Sequence, residues 1–136
     1  MSTALYHDAL VAKARDGLGK GRLADATHSA RLDNPLCGDR VTVDLRLEDG
    51  RIAAVGHEVK GCLLCEAAAA SIAELAPGKS PAEARDLAAG ITAMMKEGAT
   101  APLPALEIFT PVQNAKSRRD CVLLPFGALT KALNGL

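Results

Sequence analysis

Aromatic residues are almost missing from this chain: tryptophan is absent, and the only phenyl or phenol rings are Tyr6, Phe109 and Phe126. A core without large rings has to be built from Ala, Leu, Val and Ile, and 49% of the residues are apolar. A net charge is missing too, since sixteen Lys and Arg balance sixteen Asp and Glu. That excludes the basic excess by which nucleic-acid binding would be recognised, so no nucleic-acid partner is expected. No apolar run approaches membrane length, and the N-terminus lacks the apolar stretch of a secretion signal. The expectation is a cytoplasmic protein with no membrane association. At 136 residues, residues 1–136 should form a single domain around one core. Neither an internal repeat nor a low-complexity tail is present.

What the chain does have is four cysteines, Cys37, Cys62, Cys65 and Cys121. In a reducing compartment such cysteines read as metal or sulfur chemistry before they read as disulfides. Two of them mark a junction, Gly61-Cys62-Leu63-Leu64-Cys65. Upstream, Val55, His57 and Val59 keep the two-residue rhythm of a strand. Downstream, Glu66 to Leu75 is rich in alanine and ends at Pro77-Gly78, the composition of a helix and its stop. Cys62 and Cys65 therefore fall in the first turn of a helix, where unpaired N–H groups and the positive end of the dipole favour thiolates.

The other elements follow from period and punctuation. Thr3 to Ala14 predicts a short amphipathic helix, capped by Ser2 or Thr3. Gly17-Leu18-Gly19-Lys20-Gly21 reads as a mobile turn, because no Lys-Ser/Thr pair closes a phosphate cradle there. Thr27 to Asp33 is a weak strand, Asn34-Pro35 breaks it, and Cys37-Gly38-Asp39 falls on a tight turn. Val41, Val43, Leu45 and Leu47 alternate with polar residues, Glu48 to Arg51 signals a hairpin, and Ile52 to Lys60 returns. A three-stranded antiparallel sheet results. Ser80-Pro81-Ala82-Glu83 opens a second helix that Gly98 stops. Leu103, Leu106 and Phe109 belong to a short helix behind Pro102 and Pro104. A last helix begins near Ser117 and carries Cys121, and Pro125 should kink it or restart it, since proline cannot donate to the Cys121 carbonyl. The class is α+β, a small sheet with about five helices.

Cys37 and Asp39 offer a thiolate and a carboxylate two residues apart. With one thiolate from the Cys62–Cys65 turn and with Cys121, they would complete four ligands for zinc or iron. The rival functional pattern is a dithiol redox pair, Cys62 and Cys65, of the C-x-x-C kind. Against it, the preceding strand belongs to a hairpin and no aromatic lies near. The bland alternative for Cys121, and for Cys65, is a small core residue. His57 reads as a half-buried sheet residue, and His7 and His28 as solvated. Lys116, Arg118 and Arg119 form a basic cluster before Asp120-Cys121. Such a cluster is a solvated helix start, a means of lowering the Cys121 pKa, or a contact for an acidic partner.

Asn-Pro-Leu-Cys-Gly-Asp at 34–39, Gly-Cys at 61–62 and Arg-Arg-Asp-Cys-Val-Leu-Leu-Pro-Phe-Gly-Ala-Leu at 118–129 together resemble the iron–sulfur scaffold family, that of IscU, SufU and the N-terminal domain of NifU. The resemblance covers nearly the whole chain. It implies that Cys37, Asp39, Cys62 and Cys121 hold zinc, iron or a transient 2Fe–2S cluster. It implies a cysteine desulfurase as sulfur donor and apo iron–sulfur proteins as acceptors. Asp120 stands where the IscU branch has histidine, the proline-rich docking stretch of IscU is not recognisable, and an extra segment occupies Gly98 to Leu106. All three lean towards the SufU branch, a zinc-bound sulfur acceptor, as does Arg118. Cys121 is the expected acceptor thiol, lying beside the basic cluster on what should be the least embedded helix. Cys65 departs from the family's usual serine. It would share the metal, relay sulfur, or do nothing.

Overall fold

The computed structural model describes residues 7–36 and 38–134. Cys37 and the expected N-terminal cap at Ser2 or Thr3 lie outside the described residues. Helix α1 is Asp8–Asp16 and closes on Gly17 at φ 66°, the glycine-rich stretch ending it. His7 is not merely solvated: its Nε2 lies 2.7 Å from the Ile108 carbonyl and ties the start of α1 to a distant segment.

The glycine turn that follows is pinned rather than mobile. The His57 N–H donates to the Gly19 carbonyl at 2.9 Å, and the Gly21 N–H donates to the His57 carbonyl at 2.7 Å. A Cβ at Gly19 would stand 2.5 Å from that of Ala73, so only glycine lets the turn pack this closely.

Strands β1 (His28–Asn34), β2 (Asp39–Glu48) and β3 (Arg51–Lys60) form the expected antiparallel sheet in the order β1-β2-β3. Asp49 and Gly50 both have positive φ, 52° and 76°, as a tight two-residue hairpin requires. Alternation sends Val41, Val43 and Leu45 into the core, each with no exposed surface. The opposite face carries Arg31, Arg40, Thr42, Glu58 and Lys60, which line an open cavity of about 720 Å³.

Asp44 also belongs to that polar face by period, yet it is fully buried. Arg22 Nε donates to its Oδ2 at 2.6 Å, Ser29 Oγ to Oδ1 at 2.6 Å, and the Leu23 N–H to Oδ2 at 3.0 Å. These partners repay the burial of a carboxylate and lock the segment after the glycine turn onto the sheet.

Helix α2 (Leu63–Leu75) is almost wholly buried, as a helix apolar on every side must be. Its alanines let α1, β3 and a later helix approach closely. Helix α3 (Pro81–Glu97) has the expected capping box, with the Glu83 N–H on Ser80 Oγ and the Ser80 N–H on Glu83 Oε1, and ends on Gly98 at φ 71°. The helix expected around Leu103 to Phe109 is a longer 3-10 segment, Pro104–Asn114. Three residues per turn put Leu106, Phe109 and Val112 on one buried face.

Helix α4 (Lys116–Leu133) runs through Pro125 without restarting. It packs against β1, β2, α2, α3 and the 3-10 segment. Far from being the least embedded helix, it is the one around which the others gather. Among the described residues, no helix is long and apolar enough to cross a membrane.

Asp44 yields a stability prediction. Burial opposes its charge, but Arg22, Ser29 and Leu23 outweigh that and hold its pKa below the ordinary carboxylate value. Its contribution is therefore present above the ordinary aspartate pKa and lost as pH falls through the lower folded one. Asp44→Asn should cost about 2 kcal/mol in denaturant unfolding at neutral pH. The gap from the wild type should narrow in strong acid.

Candidate metal centre

The turn that ends β1 sets the first donor. The Leu36 N–H donates to Asn34 Oδ1 at 3.1 Å, and the Gly38 N–H to the Asn34 carbonyl at 2.8 Å. Gly38 takes φ 74°, and the chain re-enters the sheet at Asp39. Two-residue alternation puts Asp39 on the same face as Val41 and Val43, towards the helices, and it is 7% exposed.

Two strands later Lys60, the register partner of Arg40, ends β3, and Gly61 lies against the Asp39 side chain. A Cβ at Gly61 would stand 2.9 Å from Asp39 Cγ. Any larger residue would push the carboxylate out of place, so the glycine before Cys62 is part of the site. Sequence reading gave Gly61 no such role; its position directly before a cysteine was the available signal.

Cys62 is the N-cap of α2, with extended backbone at φ −77°, ψ 171°. Cys65 follows in the first turn, and Cys121 comes from α4. One ligand atom each of Asp39, Cys62, Cys65 and Cys121 lies within 4.8 Å of all the others. Three chain segments far apart in sequence thus deliver three sulfurs and an oxygen to one point, a donor set that suits zinc or iron.

Cys65 is at the bottom of the group, with no exposed surface. Its Sγ lies 3.0 Å from the Cys121 carbonyl and 3.3 Å from Asp39 Oδ2. One S–H proton faces two acceptors. The Cys121 carbonyl needs a donor because its helical partner would be the N–H of residue 125, which is proline. Pro125, expected to kink or restart the helix, leaves an acceptor open on it, and Cys65 fills it. Cys121 Sγ lies 3.7 Å from the same Asp39 oxygen.

Charge follows position. Cys62 makes no formal capping hydrogen bond. The Cys65 thiol beside it, helped by the N–H groups of Cys65 and Leu64 and by Cys121, holds the Cys62 pKa down to about 5 against the effect of burial. Cys65 is driven the other way, by the Cys62 thiolate, by burial and by Asp39. Cys62 is half-buried, whereas Cys65 and Cys121 are buried.

Arg118 and Asp120 are exposed on the first turn of α4, and Asp120 is not among the converging ligands. Arg119 Nε donates to the Gln113 carbonyl at 2.9 Å and joins the 3-10 segment to α4. His57 is 4% exposed, more deeply buried than expected, with Nε2 2.8 Å from the Leu18 carbonyl, and it stands apart from the thiols.

Comparison with known proteins places this arrangement. Residues 5–134 match the family model described as the NifU-like N terminal domain. The chain is 28% identical, over 95% of its length and 92% of the relative's, to the iron–sulfur cluster assembly scaffold protein IscU of Thermotoga maritima. It resembles the crystal structure of a NifU-like N-terminal protein from Brucella abortus, with a TM-score of 0.91 and 30% identity, covering 97% of this chain and 94% of that one. A putative scaffold protein for the SUF system from Fervidobacterium islandicum gives a TM-score of 0.89 and 26% identity, over 98% of this chain and 100% of that one. With its thiols and carboxylate gathered on this fold, the chain belongs to the NifU-like N-terminal domain family of iron–sulfur cluster assembly scaffold proteins.

Proposed function

We propose that this chain is a SufU-like sulfur acceptor that binds one zinc ion and takes persulfide sulfur from a cysteine desulfurase for delivery to apo iron–sulfur proteins. The observation that carries this reading is the convergence of Asp39, Cys62, Cys65 and Cys121 within 4.8 Å. Asp39, Cys62 and Cys121 would hold the metal, joined by Cys37, two residues before Asp39 in the sequence. When bound, the metal keeps the thiols deprotonated and shields them from oxidation.

Cys121, the acceptor expected from sequence, sits on the central helix and is 3% exposed. Cys62 is the more open thiol and lies at the positive end of α2, so the acceptor role is assigned to Cys62 and a ligand role to Cys121. The transfer balances simply. The Cys62 thiolate attacks the outer sulfur of the desulfurase persulfide, and the desulfurase cysteine leaves as a thiolate. The new persulfide anion is stabilised by the N–H groups of the first turn of α2. Arg118, three residues before Cys121 on the same helix face, adds a cationic rim for the incoming anion. Asp120 has no place in this scheme.

The names of the scaffold relatives favour a second reading, assembly of a transient 2Fe–2S cluster at the same donors. The two separate experimentally. A sulfur acceptor should raise the turnover of its desulfurase, and Cys62→Ala should reduce that stimulation about ten-fold or more, more than Cys121→Ala does, with the fold intact by circular dichroism. A stable coloured cluster formed from iron and sulfide, transferable to an apo-acceptor and without desulfurase stimulation, would decide for the scaffold.

Metal content gives a further check. Elemental analysis should find about one zinc per chain, reduced both by Cys62→Ser and by Gly61→Ala, which displaces Asp39 without removing a ligand. After chelation, alkylation of Cys62 should be fast at neutral pH and slow as pH falls through about 5, where the thiolate takes up its proton. An ordinary thiol would already be slow at neutral pH.

A further inference from the structure

Four ligands need only one of the two cysteines in the first turn of α2, and the sulfur-acceptor scheme leaves Cys65 without a task. It is a nucleophile with no exposed surface, so nothing in solution can reach it. Only a neighbour can, and the sulfur of Cys62, which would carry the incoming cargo, lies within 4.8 Å of it.

We propose that Cys65 is the resolving thiol of this site, attacking a persulfide on Cys62 and releasing the outer sulfur as sulfide without an external reductant. This deepens the acceptor reading above and rests on it.

The geometry is that of two side chains three residues apart at a helix start, with Sγ atoms within 4.8 Å. Such side chains share a face, with Cβ atoms about 5–6 Å apart, and a disulfide asks for about 3.5–4.5 Å. The closure needed is small, and it falls at the helix terminus, where Cys62 is already extended. Cys121 Sγ is also within 4.8 Å of Cys65, but it belongs to a separate helix held by packing on several sides. Asp39 Oδ2 lies 3.3 Å from Cys65 Sγ, the second acceptor within reach of its S–H beside the Cys121 carbonyl, so a carboxylate is at hand to take the proton as sulfur attacks.

The step balances within the chain. Cys65 Sγ bonds to Cys62 Sγ, and the bond from Cys62 Sγ to the outer sulfur breaks. The departing sulfur takes the electron pair and, by way of Asp39, the Cys65 proton, leaving as hydrosulfide. That sulfur is reduced from the zero-valent to the sulfide level, and the two cysteines are oxidised to a disulfide. A second turnover requires a dithiol reductant to reopen it. The product is the oxidation state of sulfur that iron–sulfur clusters contain.

The test uses the full chain, desalted under anaerobic conditions after loading, with no thiol added. One sample is loaded by desulfurase and cysteine, another by inorganic polysulfide, which needs no desulfurase. The expected result is release of sulfide matched by loss of two hydrogens from the peptide containing Cys62 and Cys65. In Cys65→Ser, which keeps a donor for the Cys121 carbonyl, release should slow at least about ten-fold, because a held intramolecular thiol is lost. Peptide mass should then show the extra sulfur retained on Cys62. Cys65→Ala should behave the same if the thiol rather than the local packing is responsible. Wild-type release rates in both variants, or a disulfide between Cys62 and Cys121, would overturn the assignment. So would a polysulfide-loaded wild-type chain that keeps its persulfide. Failure of the desulfurase arm alone, with the polysulfide arm releasing sulfide through Cys65, would instead overturn the choice of donor and leave the resolving role standing.

Discussion

The carbonyl oxygen of Cys121 is where the core and the site meet. Pro125 deprives it of a helical donor, and a buried carbonyl left alone costs about 1–3 kcal/mol. Cys65 supplies the donor from another helix. That contact fixes how the start of α2 sits against α4, and so where Cys62, three residues earlier, presents its sulfur. The same thiol also reaches Asp39, so one small side chain coordinates the sheet and both helices. A proline usually marks where a helix fails; here it marks where two helices are joined.

The sheet serves the site in a different way. Its alternation decides that Asp39 faces inward with Val41 and Val43, and its register sets Arg40 opposite Lys60 so that Gly61 arrives beside Asp39. The hairpin at Asp49-Gly50 and the short turn at Asn34 to Gly38 leave little freedom in either placement. The middle of the central strand carries Asp44, whose buried carboxylate gathers Arg22, Ser29 and the Leu23 N–H. The segment between α1 and β1 is thereby held along β3, and the glycine turn within it approaches α2. Mobility, the ordinary reading of three glycines in five residues, is removed by hydrogen bonds to His57.

The two thiols of α2 differ because of depth rather than identity. Cys62 is open to the helix terminus and half-buried, and Cys65 is enclosed between it, Asp39 and α4. A proton on Cys65 stabilises the anion on Cys62, and the anion on Cys62 keeps the proton on Cys65. In the proposed acceptor role, sulfur arriving from outside would meet the Cys62 thiolate first, with the Cys65 thiol already in place behind it.

The sequence by itself determined the elements. Two-residue and helical periods, the Asp49-Gly50 turn and the Ser80–Glu83 cap are local properties, written in adjacent residues, and they led to the α+β class and the antiparallel sheet. The three cysteine motifs were specific enough to suggest the family. What it could not determine was depth and approach, because these depend on which helix packs over which. Only the tertiary structure decided that α4 is the central helix, which closes Cys121 off and leaves Cys62 open. It also decided that His7 reaches the Ile108 carbonyl, and that Gly61 is small for the sake of Asp39. The missing N–H of Pro125 was legible from sequence, but its consequence was not: an unmet carbonyl finds its donor through space, in a residue 56 positions away along the chain.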